Sequence, residues 1–261
     1  MNRPFDGTVD IRLVWTYDAN GDLSKTEQDT NADGVVDRRH RFIFDANDKL
    51  ITQELDDNAD GIVDRRLTHA YDVNGNQTLV EDDTNADGTA DSRETYTYNA
   101  NGSQATYERD DNADGMADYR ESFTYDADGN RTMTEVDSDG DGVVDERVTY
   151  AYDADGNQTL VEDDTNADGV VDYRETHSYA ADGRRTKFEA DTNGDGTVDF
   201  RTTWTYSGNQ TIVEVDSNVD DVVDSRYTYT ATTIHTWRAA ELGFSYSDEW
   251  PSQTPIGSNR F

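Results

Sequence analysis

The residues best suited to chemistry lie in a nine-residue segment that spans residues 83–91 and reads DTNADGTAD. Carboxylate or amide oxygens stand at its first, third, fifth and ninth positions, and a glycine stands at its sixth. Hard cations such as calcium take six to eight oxygen ligands, and the glycine allows the tight turn with which a short segment surrounds one ion. The spacing therefore predicts a calcium loop, with the backbone carbonyl of the seventh residue as a further ligand.

This segment recurs along the chain and defines eight loops. Their first aspartates follow one another at intervals of 27 residues, six times, and then of 25, which indicates a repeat architecture. The predicted ligands are Asp29, Asn31, Asp33, Val35 and Asp37 in loop 1; Asp56, Asn58, Asp60, Ile62 and Asp64 in loop 2; Asp83, Asn85, Asp87, Thr89 and Asp91 in loop 3; Asp110, Asn112, Asp114, Met116 and Asp118 in loop 4; Asp137, Asp139, Asp141, Val143 and Asp145 in loop 5; Asp164, Asn166, Asp168, Val170 and Asp172 in loop 6; Asp191, Asn193, Asp195, Thr197 and Asp199 in loop 7; and Asp216, Asn218, Asp220, Val222 and Asp224 in loop 8. Asp6 and Asp10 match half of a further loop, so we expect about eight calcium ions, one per complete repeat.

The composition agrees with cation binding and excludes some partners. The chain carries 57 acidic residues against 22 lysines and arginines, a formal net charge of −35, and eight divalent ions would reduce it to −19. Nucleic acid is excluded as a partner because phosphate contacts need lysine and arginine. There is no cysteine. No apolar run reaches the length of a transmembrane helix, and the first residues do not read as a signal peptide.

The segments between the loops read as pairs of β-strands. After each loop stands an arginine that every repeat keeps, followed by two aromatic positions spaced two apart, as in Arg93, Tyr96 and Tyr98. This period of two places the rings on one face of a strand and the arginine on the other. Asn-Gly or Asp-Gly then predicts a tight turn into a second strand. We therefore predict an all-β fold of tandem antiparallel hairpins, about 27 residues each, in an elongated or coiled array with the calcium loops along one edge.

Two domains follow from where the pattern stops. Residues 1–229 hold half a repeat and eight repeats, and residues 230–261 are a non-repeating segment with denser apolar residues. That segment is expected to be either a cap on the last repeat or a segment that joins the next subunit.

A glutamate precedes every loop by two residues and mirrors the arginine about the loop, as Glu81 and Arg93 do about Asp87. A cross-strand ion pair is the simpler interpretation, and a further metal ligand is the alternative. The aromatic positions favour packing over sugar binding, and His69 and His177 at those positions favour packing over catalysis. Asn-x-Thr triplets that begin at Asn76, Asn130, Asn157 and Asn209, and Asn-Gly-Ser at Asn101, match glycosylation acceptors, although turn formation alone explains these asparagines.

The loops resemble the calcium loops of EF-hands, dockerins and thrombospondin type 3 repeats. The turns at 71–76 and 152–157, which read YDVNGN and YDADGN, resemble the YD repeats of secreted and surface proteins. Two departures stand out: strands flank the loops, and the twelfth position, a glutamate in EF-hands, is glutamate only at Glu94, Glu121 and Glu175. The resemblance implies a bacterial extracellular repeat protein with calcium affinity in the ~10⁻⁴–10⁻³ M class of extracellular modules.

These patterns together predict an extracellular or cell-surface structural protein and not an enzyme. We expect a calcium-stabilised subunit of a fibre, adhesin stalk or surface layer that assembles head to tail with copies of itself, and glycans are a second expected partner. The alternatives are a polysaccharide- or ligand-binding module with exposed aromatic rows, and a hydrolase domain confined to residues 230–261. Eight loops in register set the first expectation, because one such segment could arise by chance and eight could not.

Overall fold

The structure, a computed structural model, describes residues 11–230. Within them the chain is all-β: seventeen strands form tandem antiparallel hairpins, as the sequence predicts. Asp6, Asp10 and the segment from residue 231 onward lie outside the described residues, so the predictions for them stay predictions. No helix among residues 11–230 has the length and apolar character needed to cross a bilayer.

Most strands have seven residues, and each second strand of a hairpin ends on the first aspartate of a loop. The strands are Arg12–Tyr17 (β1), Leu23–Asp29 (β2), Arg38–Phe44 (β3), Leu50–Asp56 (β4), Arg65–Tyr71 (β5), Gln77–Asp83 (β6), Ser92–Tyr98 (β7), Gln104–Asp110 (β8), Tyr119–Tyr125 (β9), Arg131–Asp137 (β10), Glu146–Tyr152 (β11), Gln158–Asp164 (β12), Tyr173–Tyr179 (β13), Arg185–Asp191 (β14), Phe200–Ser207 (β15), Gln210–Asp216 (β16) and Ser225–Thr230 (β17).

The strands fall into two compact units. Among the described residues, the first contains residues 11–151 and 161–173, and the second contains residues 152–160 and 174–230. In the first unit β1 to β11 pair in sequence order, and in the second β13 to β17 do so. Because consecutive strands are antiparallel, the loops of a unit lie at one edge of its strands and the tight turns lie at the other.

The tight turns are closed by their own side chains. The Asp72 carboxylate accepts from the backbone N–H groups of Asn74 and Asn76 at 2.8 and 2.9 Å, and Gly75 supplies a φ of +86°. The Asn76 side-chain amide donates to Asp72 at 3.0 Å, and the amides of Asn130 and Asn157 donate to their turn aspartates in the same way. These contacts support the turn-forming interpretation of the asparagines.

The two faces of the strands differ as the period of two predicts. Tyr96 lies opposite Tyr107 on one face, with ring centroids 5.4 Å apart, and Thr97 lies opposite Thr106 on the other, with hydroxyls 2.6 Å apart. The packing predicted for the rings does not produce a buried core. Among the described residues only Phe188 and Ala190 are buried apolar residues, because strands that pair side by side satisfy their backbone groups and leave most ring faces partly exposed.

Aromatic hydroxyls have a role that the spacing did not indicate. The Tyr98 hydroxyl donates to the Gln77 carbonyl oxygen at 2.8 Å, which ties the turn end of one hairpin to the hairpin before it. The same bond to a carbonyl 21 residues earlier forms at Tyr71, Tyr125, Tyr179 and Tyr206. The second aromatic position is therefore a link between neighbouring repeats.

Candidate metal loops

The first aspartate of every loop is buried. These eight residues are only 4–7% exposed, and they form most of the buried polar set of the described chain: Asp29, Asp56, Asp83, Asp110, Asp137, Asp164, Asp191 and Asp216. Each is the last residue of a strand and the first residue of its loop. A buried carboxylate is costly unless donors or a cation surround it, so the surroundings of these oxygens decide what the loops can do.

Backbone donors draw the loop oxygens inward, as loop 3 shows. Asp83 Oδ2 accepts from Gly88 N at 2.9 Å, and Asp83 Oδ1 accepts from Asp87 N at 3.0 Å. Asn85 Oδ1 also accepts from Asp87 N, at 2.8 Å. Gly88 has a φ of +95° and Ala86 one of +52°, so the loop wraps through two left-handed positions. The oxygens of the first and third positions thereby converge on one backbone amide.

The ninth aspartate is anchored by the second loop residue, which the motif had left without a role. Asp37 Oδ2 accepts from the Thr30 backbone N–H at 2.7 Å and from the Thr30 hydroxyl at 2.6 Å, and the hydroxyl bond is the main reason that the pKa of Asp37 is lowered. The recurrence of threonine or serine at this position was the available signal: Thr30, Thr84, Ser138, Thr165, Thr192 and Ser217. The remaining oxygen of the ninth aspartate is left available for a cation.

Loop 5 brings three carboxylates together. Oxygens of Asp137, Asp139 and Asp145 all lie within 4.8 Å of one another. This loop is the only one with aspartate at the third position. Asp141, at the fifth, lies outside this cluster, and its Oδ1 accepts from Val143 N at 2.8 Å. Gly140 is required here because a Cβ would lie 1.8 Å from the Ala117 carbonyl oxygen of loop 4.

Three of the buried first aspartates have an oxygen with no hydrogen-bond partner. These atoms are Asp56 Oδ1, Asp137 Oδ1 and Asp216 Oδ1, and each is closed to solvent. Buried polar groups in folded proteins almost always have a partner, and an ionised one without a partner is especially costly. A cation would satisfy these oxygens without any change in the loop ligands predicted from the sequence.

The seventh position contributes no side chain to the loop interior. Val35, Ile62 and Met116 are 64, 69 and 70% exposed, so only their backbone atoms could serve as ligands. Their N–H groups donate to the fifth-position carboxylates at 2.8–2.9 Å. Ligation by the seventh carbonyl stays a prediction.

The twelfth-position glutamates have partners away from the loops. Glu94 accepts from the Tyr96 hydroxyl and Glu121 from the Tyr119 hydroxyl, at 2.5 and 2.6 Å. Glu175 pairs with His177 at 3.4 Å. All three engage side chains of the aromatic face, which supports leaving this position out of the ligand set.

The glutamate before each loop forms the cross-strand ion pair that its symmetric placement predicts. Glu81 lies opposite Arg93, and Arg93 Nη2 lies 2.7 Å from Glu81 Oε1. Equivalent contacts join Glu27–Arg39, Glu54–Arg66, Glu108–Arg120, Glu135–Arg147, Glu189–Arg201 and Glu214–Arg226. One face of the sheet therefore carries a ladder of paired charges beside the loops.

The aromatic face has one pair of like charges, Glu146 and Asp163, where an earlier repeat has an ion pair. In that earlier repeat Arg65 binds Asp82 through two hydrogen bonds, one of 2.8 Å from Nε. Glu146 and Asp163 occupy the same repeat positions 81 residues later. Burial, then the charge of Glu146, raises the pKa of Asp163 to about 6, and its Oδ1 has no partner.

The histidines behave as packing residues. The His177 ring lies 5.3 Å from the Phe188 ring, and His69 Nε2 lies 3.1 Å from the Gln53 amide nitrogen. Burial lowers the pKa of His69, so a neutral ring is favoured there. These surroundings agree with the packing interpretation of both residues.

Comparisons with known proteins give no family. No protein-family model and no curated protein matches the chain. Among solved structures, a Tc holotoxin pore of Photorhabdus luminescens is 14% identical with a TM-score of 0.32, and TcdB2–TccC3 without its hypervariable C-terminal region is 14% identical with a TM-score of 0.30. Each match covers 84% of this chain and 14% of the length of the other chain. A porin-like protein from Bacteroides uniformis is 13% identical with a TM-score of 0.34, over 84% of this chain and 91% of that one. Similarity this low assigns neither a family nor a function.

Proposed function

We propose that the repeats form a calcium-stabilised structural array that serves outside the cell as part of a fibre, an adhesin stalk or a surface layer. The observation that carries the proposal is the buried first aspartate of each loop, with an unpartnered oxygen at Asp56, Asp137 and Asp216. A metal ion supplies what these oxygens lack, and the eightfold recurrence of the loop makes metal binding a property of the whole array.

The donor set favours calcium among the common metals. Every predicted loop ligand is an oxygen, and the chain has no cysteine for zinc or copper. Calcium accepts irregular shells of carboxylate, amide and carbonyl oxygens, whereas magnesium demands a near-ideal octahedron. Without a twelfth-position glutamate as a ligand, the affinity belongs to the ~10⁻⁴–10⁻³ M class, which suits the calcium concentrations outside cells.

A structural role follows from how little apolar surface the strands bury. Only Phe188 and Ala190 are buried apolar residues among those described, so the hydrophobic contribution to stability is small for a chain of this size. The net charge of −35 also opposes compaction. Ion binding would offset both, because loops that are ordered only in the folded state couple metal binding to folding.

Self-association is the partner that we propose for the array. An open sheet has edge strands whose unpaired backbone groups can pair with another chain. The first and last described strands, Arg12–Tyr17 and Ser225–Thr230, are exposed along most of their length. Sedimentation velocity with millimolar calcium and with chelator tests this role. A monomer under both conditions would contradict it.

A polysaccharide-binding surface is the second candidate function. The observation in its favour is that the aromatic side chains of Trp15 and Tyr17 belong to residues 54 and 60% exposed. Exposed rings of this kind stack on sugar faces. Binding of soluble glycans that quenches tryptophan fluorescence would support this function, and Trp15→Ala should then reduce the quenching.

Direct calcium binding tests the main proposal. Isothermal titration of the chelated protein should show about eight sites of sub-millimolar to millimolar affinity, and magnesium should compete weakly. The matched variant is Asp137→Asn, which removes the carboxylate with an unpartnered oxygen and should lose one site. A chelated protein that takes up no calcium at all would show that the loops are ordinary turns.

A further inference from the structure

The arginine that every repeat keeps lies between two loops. Arg39 is opposite Glu27, which precedes loop 1, and also opposite Asp56, the first ligand of loop 2. The register repeats along the sheet, where Arg66 is opposite Asp83. An arginine in this register therefore lies opposite two acidic residues: the glutamate before one loop and the first aspartate of the next loop.

Both choices occur among the described arginines. Arg39 binds Glu27 through Nε at 3.2 Å, and its Nη1 reaches loop 2, 3.3 Å from Asp56 Oδ2 and 2.9 Å from the Ala59 carbonyl oxygen. Arg201 does the same toward loop 8, with Nη1 3.0 Å from Asp221 and 3.8 Å from Asp216. We call this arrangement the bridging state.

In the second arrangement, which we call the glutamate-only state, the guanidinium turns wholly to the glutamate. The three arginines in this state donate from both Nε and Nη2 to a single glutamate oxygen, at distances of 2.7–3.3 Å. They are Arg66, Arg93 and Arg147. Arginines at the same repeat position thus adopt two different arrangements.

The state of the arginine matches the hydrogen bonding of the loop that follows it. After the glutamate-only arginines, the first aspartates of loops 3, 4 and 6 accept from the fifth-position N–H through Oδ1, at 3.0–3.1 Å. After the bridging arginines, Asp56 Oδ1 and Asp216 Oδ1 have no partner. Loop 5 is an exception, because Arg120 binds Glu108 through Nε at 2.8 Å and Asp137 Oδ1 still lacks a partner. Loop 5 has Gly140 at the fourth position, where loops 2, 3, 4, 6 and 8 have alanine or valine, so its backbone differs.

We propose that this arginine is a switch on the loop that follows it, an inference that rests on the proposed calcium binding. In the bridging state the guanidinium holds the first ligand and occupies part of the space near the cation. Two positive groups on one carboxylate repel each other, so an arriving calcium ion drives the guanidinium to the glutamate-only state. The arginine then stabilises the metal-free loop and lowers the calcium affinity of the next loop.

Site-resolved calcium titration of the whole protein tests the switch. The amides of Gly61 and Gly88 donate to the first aspartates of loops 2 and 3, so their resonances in glycine-labelled protein report calcium binding loop by loop. Arg39→Gln should lower the midpoint for Gly61 about two- to fivefold, the size of an exposed ion pair, and leave Gly88 unchanged. Arg66→Gln is the matched control, because Arg66 contacts only Glu54, and should shift Gly88 less.

A second variant must act in the opposite direction. Glu27→Gln removes the competing partner of Arg39, favours the bridging state and should raise the calcium midpoint of Gly61. An unchanged or raised midpoint in Arg39→Gln, with calcium still bound, would overturn the switch alone. No response of either glycine in the wild-type protein up to about 10 mM calcium, beyond the affinity class of these loops, would overturn the proposed calcium binding and the switch with it.

Discussion

The tight turn before strand β10 and the loop after it each begin with an aspartate, but the two carboxylates differ in their hydrogen bonding. At the turn end, Asp126 accepts from the backbone of Asp128 and Asn130 at 3.0 and 2.9 Å and from the Asn130 side chain at 3.0 Å. At the loop end, Asp137 accepts one bond, from Gly142 N at 2.9 Å, and its other oxygen is buried without a partner. Both oxygens of Asp126 therefore have hydrogen-bond donors, whereas one oxygen of Asp137 has none.

This difference shows how two acidic, glycine-containing turns acquire different roles. The asparagine hydrogen bond is the main cause of the lowered pKa of Asp126, so its charge is stabilised locally. In the loop the donors are fewer and the aspartate is only 5% exposed. A bound cation would stabilise the buried carboxylate of Asp137.

Removal of calcium should reduce the stability of the protein more than any single substitution, and it should loosen the loop edge and not the turn edge. Each site occupied at ten times its Kd adds about 1.4 kcal/mol to the free energy of unfolding, so the loss of several sites should lower the Tm by many degrees. Hydrogen exchange should show that chelation exposes loop amides such as Gly142 N before turn amides such as Gly129 N. Equal protection at both edges, with an unchanged Tm, would remove the distinction.

The matched pair Asp137→Asn and Asp126→Asn should separate the two edges residue by residue. In millimolar calcium, Asp137→Asn should reduce the free energy of unfolding by about 1–3 kcal/mol through the loss of a charged ligand. In chelator the same change should be neutral or stabilising, because it removes an unpartnered buried charge. Asp126→Asn should cost less than about 1 kcal/mol in both, since asparagine closes the same turn. Chemical denaturation with and without calcium measures all four values.

The Glu146–Asp163 pair predicts a pH effect that the Arg65–Asp82 pair should not have. The pKa of Asp163 rises from 3.8 to about 6 on folding, so the unfolded chain releases this proton first. The folded protein consequently loses stability from this group as the pH rises from about 4 to about 6, and the whole cost remains above that range. Glu146→Arg should remove the loss and stabilise the protein at pH 7 by about 1 kcal/mol.

Denaturation in chelator across this pH range checks the prediction, because calcium uptake by the loops is then absent. Arg65→Glu is the reverse exchange and should create a loss of the same sign. A pH profile that Glu146→Arg leaves unchanged would show that Asp163 is relieved by other groups.

The smallest effect is expected in the charge ladder itself. Arg93 pairs with Glu81 at 2.7 Å, but about a third of each side chain is exposed. Arg93→Ala should therefore reduce the free energy of unfolding by only about 0–1 kcal/mol. A cost well above this, measured by denaturation in calcium, would contradict the prediction and show that the Glu–Arg pairs are a main source of stability.

The sequence by itself determined the local units of this protein. The period, the strands, the tight turns and the Glu81–Arg93 type of pair could all be predicted, because each depends on strands that are adjacent in the sequence and on a period of two that fixes which side chains share a face. The loop ligands at the first, third, fifth and ninth positions were likewise readable from spacing, and their calcium occupancy stays a prediction.

Only the tertiary structure decided which contacts are added to the strand register. It shows that Asp137 is buried, that the Tyr98 hydroxyl contacts the Gln77 carbonyl of the preceding hairpin, and that Arg39 reaches Asp56 as well as Glu27. The aromatic positions favoured packing in the sequence, yet among the described residues only Phe188 and Ala190 become buried apolar residues. Such outcomes depend on cross-strand distances and on solvent access, which are properties of the assembled sheet and are not encoded in the spacing of one repeat.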